Sequence, residues 1–140
     1  MHTGDILRTV EFDDRHHVER RMINVPGGDV SVAGLEPGQI TPFHCHPNAT
    51  EIYFCVEGGG TMRSLDQEIQ LTPGSYVLHP PGELHEFTNG IERTVLYRVR
   101  FGDDMSSRHY QNRSAPMWSQ SEEDAAYFAS VGVPSDAQRP

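Results

Sequence analysis

Long apolar runs are missing from this chain of 140 residues: nothing in it approaches the ~20 consecutive apolar residues that a membrane span requires. Residues 1–10 have neither the basic start nor the apolar stretch of a secretory signal, so a cytoplasmic location is expected. Basic charge is scarce. Eleven Lys and Arg stand against 20 Asp and Glu, giving a formal net charge of −9, and such a surface repels phosphate backbones and anionic membranes. Nucleic acid and membranes are therefore not expected as partners. Cysteine is limited to Cys45 and Cys55, too few for a disulfide framework and compatible with a reducing compartment.

Turn-forming chemistry, by contrast, is abundant, with 13 Gly and 10 Pro against a hydrophobic share of 36%. That balance suits a turn-rich β protein better than a helical bundle, and the length suits one domain spanning 1–140. Residues 18–25 and 30–35 are short β-branched runs on either side of Pro26-Gly27-Gly28-Asp29, which predicts an antiparallel hairpin. Further strands are predicted over 40–46, 51–56, 61–64, 68–71, 75–79, 86–88 and 94–101, each bounded by Gly, Pro, Asp or Asn. Many short strands at close spacing indicate a sandwich or barrel. Within the last strand Val95, Tyr97, Val99 and Phe101 alternate with Leu96, Arg98 and Arg100, which predicts both arginines on the outer face. The extension 103–140 is polar. Ser119-Gln120-Ser121-Glu122 predicts a helix start there, with a stop at Gly132 and Pro134.

The chemistry concentrates in 38–58, which reads G-x5-H-x-H-x4-E-x6-G from Gly38 through His44, His46 and Glu51 to Gly58. Two histidines separated by one residue project from the same face of a strand, and after a tight turn Glu51 can join them from the adjacent strand. The same parity turns Cys45 outward as a surface residue and Cys55 inward as a small apolar one. A second segment, 74–89, reads G-x5-P-x-G-x2-H-x3-N, from Gly74 through Pro80, Gly82 and His85 to Asn89. Together these segments resemble both signature motifs of the cupin superfamily without a substitution. His46-Pro-Asn-Ala-Thr-Glu51 is similar to the germins, the manganese oxalate oxidases and their relatives, although nothing here matches the germin disulfide.

The resemblance implies an all-β fold, a cupin jelly-roll β-barrel with a short C-terminal helix. It also implies one divalent first-row metal (Mn, Fe, Ni, Cu or Zn) held by His44, His46, Glu51 and His85. Three imidazoles and a carboxylate leave coordination positions open, as catalytic rather than structural sites do. His79, before Pro80 and of inward parity, is a candidate acid or base beside the catalytic Glu51. Tyr53, Phe87 and Arg63 are candidate substrate contacts. His2, His16, His17 and His109 show no partner spacing and are expected at the surface.

The resemblance favours a dioxygenase-like oxidoreductase acting on a small chelating molecule. The alternatives are a metal-dependent decarboxylase, lyase or isomerase, and a barrel that binds a small ligand without turnover. A homodimer joined through exposed sheet edges is expected.

Overall fold

The computed structural model describes residues 1–135. In chain order the elements are α1 (Ile6–Thr9), β1 (Val18–Val25), β2 (Gly28–Leu35), β3 (Phe43–Cys45), β4 (Ala49–Glu57) and β5 (Gly60–Arg63). They continue with β6 (Glu68–Leu71), β7 (Tyr76–His79), β8 (Glu86–Asn89), β9 (Thr94–Gly102), β10 (Arg108–Gln111) and α2 (Glu122–Ser130). The strands predicted from sequence are all present, most of them shifted by a residue or two; β10 and α1 carry too little apolar periodicity to be read that way.

One layer is the five-stranded antiparallel sheet β1-β2-β9-β4-β7. The other combines β6-β5-β8 with β10-β3, which meet through two isolated bridges, His44 with His85 and Ile40 with Thr88. The fold is thus a jelly-roll sandwich, and among the described residues its strands do not hydrogen-bond into a closed barrel. Proline explains the interruption: Pro42 and Pro47 lack the N–H that a longer β3 would donate, so only three residues between them pair as a strand. The bridge at His44 nevertheless has both backbone hydrogen bonds, 3.1 and 2.9 Å, and sets that residue directly against His85.

The first hairpin turns at Pro26-Gly27, with Gly27 at φ +79°. Asp29 is not part of the turn. It pairs with Arg100 in the β2–β9 register and is buried. Gly58 shows why the first motif ends in glycine: its φ is +75°, and a Cβ there would lie 2.2 Å from the Arg93 carbonyl oxygen.

A main apolar cluster of Ala33, Leu35, Tyr53, Cys55, Met62, Leu71, Phe87 and Leu96 fills the interior between the sheets. A second cluster lies behind β3, where Phe128 of α2 packs with Phe43, Cys45, Leu84 and Tyr110. Ser121 caps α2 by accepting the Asp124 N–H at 3.0 Å, and three acidic residues in the first turn suit the positive end of the helix dipole. This helix corrects the placement of Cys45, which points away from the interior as predicted but is fully buried beneath the C-terminal segment. Burial also pushes its thiol up to about 11.

The facing of β9 is the larger correction. Arg98 and Arg100 point inward and are buried, while Tyr97, Val99 and Phe101 face out. Alternation along a strand states which residues share a face, not which face is inner. Here the interior supplies carboxylate partners, and burial follows those partners rather than hydropathy.

Candidate metal centre

Four side chains converge where the layers meet. His44 stands on β3, His46 just beyond it, Glu51 on β4 and His85 immediately before β8, and one donor atom from each lies within 4.8 Å of all the others. The turn at 47–48 brings Glu51 back beside the two histidines, and the β3–β8 bridge delivers the fourth residue.

Backbone carbonyls fix the tautomers. Nδ1 of His44 lies 2.8 Å from the Pro42 oxygen, Nδ1 of His85 3.0 Å from the Glu83 oxygen, and Nδ1 of His46 3.3 Å from the Met105 and Ser106 oxygens. A carbonyl only accepts, so each Nδ1 donates and each Nε2 keeps its lone pair for the cluster. Nε2 of His46 and of His85, 3.1 and 3.0 Å from Oε2 of Glu51, lack a properly oriented hydrogen bond, as do both Glu51 oxygens. All four atoms are buried. Electron pairs crowded together without donors are costly unless a cation collects them, and in this respect the residues fit a divalent metal. With no thiolate in the set, a first-row ion is the suitable class.

The cluster opens on a cavity of about 190 Å³. Ala33, Leu35, Met62, Phe87 and Leu96 form its apolar wall, and Tyr53 stands beside Glu51 in it. Burial pushes the Tyr53 phenol well above its ordinary value, keeping it protonated. Two of the sequence candidates for substrate contact, Tyr53 and Phe87, thus line the cavity. Arg63 does not; it is buried against Glu86 at 3.4 Å and over the Phe43 ring. It lines a separate recess of about 70 Å³ together with His79.

His79 stacks on His85, ring centroids 3.9 Å apart and planes 8° from parallel, and its Nδ1 contacts Oε2 of Glu83 at 2.7 Å. Its place is behind a cluster histidine, outside the lining of the cavity. Burial and the neighbouring His85 push its imidazole down to about 3. Folding therefore holds His79 neutral between that value and the ~6.5 of a free imidazole, a range in which the unfolded chain takes up a proton. Stability contributed by this group falls on acidification, by ~2 kcal/mol at pH 5. In metal-free protein we expect the urea midpoint to drop between pH 7 and pH 5, and to drop less in His79→Gln; equal slopes would refute this.

Sequence reading missed four contributors to the cavity. His109 stacks on His44 with centroids 5.5 Å apart, and His17 lines the wall with Arg98 and Arg100. Neither histidine has a motif, because each reaches the site from outside the 38–89 core. For the arginines the one available signal was shared parity with Leu96, an interior residue.

Comparison with known proteins agrees with this geometry. Residues 31–97 match the cupin domain family. Over 100 residues the chain is 31% identical to quercetin 2,3-dioxygenase of Bacillus subtilis, covering 71% of this chain and 30% of that protein. Over 106 residues it is 32% identical to a germin-like protein of Morus alba, covering 71% of this chain and 51% of that one. Among solved structures, an uncharacterized conserved protein with a double-stranded β-helix domain from Klebsiella pneumoniae superposes with a TM-score of 0.73. It is 16% identical, with 81% of this chain and 99% of that one covered. The chain belongs to the cupin superfamily. It spans a third to a half of the length of the curated relatives it matches.

Proposed function

We propose that this cupin is a metal-dependent oxidoreductase, dioxygenase-like, acting on a small organic molecule that chelates the metal. The observation that carries the reading is the converging set of buried donor atoms without hydrogen-bond partners, open to a largely apolar cavity. Similarity to a quercetin dioxygenase supports oxygen chemistry as the reaction class. His44, His46, Glu51 and His85 would hold the ion, which when bound supplies Lewis acidity and a place where a chelating substrate and O2 can meet.

The chain's own residues do the rest. Oε1 of Glu51, 3.6 Å from Arg98, is the oxygen that would accept a proton from a substrate hydroxyl. Phe87, Leu35, Leu96 and Met62 exclude water from the reacting groups, which strengthens every electrostatic contact among them. His79, stacked behind His85, acts in this scheme through the orientation of that ring. The two free, buried cysteines suit a reducing compartment, consistent with a cytoplasmic location.

Oxygen uptake tests the proposal. Metal-loaded protein offered flavonols, catechols and β-diketones in turn should consume O2 with one of these classes, and His85→Ala should abolish uptake. Turnover that proceeds equally well without oxygen would replace it with a decarboxylase, lyase or isomerase. Saturable binding with no turnover under either condition would leave a ligand-binding barrel.

A further inference from the structure

Arg98 lines the cavity beside His17, Glu19 and Arg100, and its partners are unequal. Its Nη2 donates to Oγ of Ser31 at 2.9 Å and lies 3.5 Å from Oδ1 of Asp29. Nη1 pairs with Oε1 of Glu19 at 2.8 Å, while Nε is buried with no partner. Asp29 is committed elsewhere, to Arg100, through contacts of 2.6 and 3.3 Å. Glu51 turns Oε2 to the histidines and reaches Nη1 of Arg98 with Oε1 only at 3.6 Å, a longer contact than that of Glu19. Glu19, by contrast, comes from the edge strand β1 and is more than one-third exposed, whereas the Arg98 it touches is nearly fully buried. A carboxylate that reaches in from solvent to cap a buried guanidinium can swing back out at small cost.

We propose that Arg98 is the subsite for a carboxylate of the substrate, and that Glu19 occupies this subsite until substrate displaces it. The ligand class is a small organic acid bearing a second oxygen donor, its carboxylate on Arg98 and its other oxygen toward Glu51 and the histidines. This assignment deepens the metal-enzyme reading and rests on it for the second contact, while the carboxylate contact needs only Arg98. A planar guanidinium with one strong competitor and one idle N–H is suited to accepting a carboxylate in exchange.

Salicylate and salicylamide, which share size and phenol but differ in charge, are the probes, with binding read by calorimetry on protein as purified and after removal of metal. Salicylate should bind about tenfold or more tightly than salicylamide, the preference that a charge-assisted hydrogen bond supplies. Arg98→Gln should erase that preference. Glu19→Gln should tighten salicylate several-fold and leave salicylamide unchanged, with metal content unaltered; a purely structural role for Glu19 predicts the opposite sign. Equal binding of the two probes, or weaker salicylate binding in Glu19→Gln, would overturn the proposal. Metal-free protein separates this outcome from failure of the metal reading, because the effect of Glu19→Gln should persist there.

Discussion

Replacing His85 with alanine should abolish metal binding, and we expect this to be the largest single effect on the site. Its Nε2 is one of the buried lone pairs aimed into the cluster. His79, which stacks on it, faces the separate recess and offers Nδ1 to Glu83. Loss of an outer partner of a metal ligand costs ~10–100-fold in affinity, so loss of the ligand itself should exceed that range. Elemental analysis of protein purified without added metal or chelator is the check. The wild type should carry near-stoichiometric Mn, Fe, Ni, Cu or Zn and the variant little or none. A wild type that takes up none of these on reconstitution would remove the metal centre and the reaction proposed for it.

The second large effect is on stability. Asp29 is 3% exposed and bonded to both Arg98 and Arg100, themselves buried. Asp29→Ala leaves two guanidiniums inside the sandwich without their shared counter-charge, and breaking a buried ion pair from one side costs ~3–5 kcal/mol. Against a total of ~5–15 kcal/mol for a domain this is a major loss. With a urea slope of ~2 kcal/mol per molar, the midpoint should fall by about 2 M. A fall below about 0.5 M would mean that water already solvates the arginines, and would weaken the case for Arg98 as a desolvated carboxylate subsite.

The pattern of what was legible in the sequence is specific. The four cluster residues could be read because their relation is local or nearly so: a two-residue step on β3, a tight turn into β4, and a loop whose Gly and Pro positions are required by backbone shape. The start of α2 was legible to within two residues: the Ser119–Glu122 capping box puts the cap at Ser119, whereas Ser121 caps the helix by accepting the Asp124 N–H. Arg100 was misread because its partner, Asp29, lies 71 residues earlier in the chain, and hydropathy cannot anticipate a counter-charge that only the β2–β9 pairing supplies. His109 escaped notice because β10 has no strong alternation of its own and forms by pairing with β3.

By itself, then, the sequence determined the cupin fold, the turn positions and the histidine–glutamate set, because each depends on short-range periodicity and on residues whose chemistry permits few alternatives. Tertiary structure alone decided which face of β9 lies inside, that Cys45 is covered, and that Arg98, Glu19 and His109 border the site. Those outcomes depend on which distant segments meet, and a period of two leaves the choice of inner face open until they do.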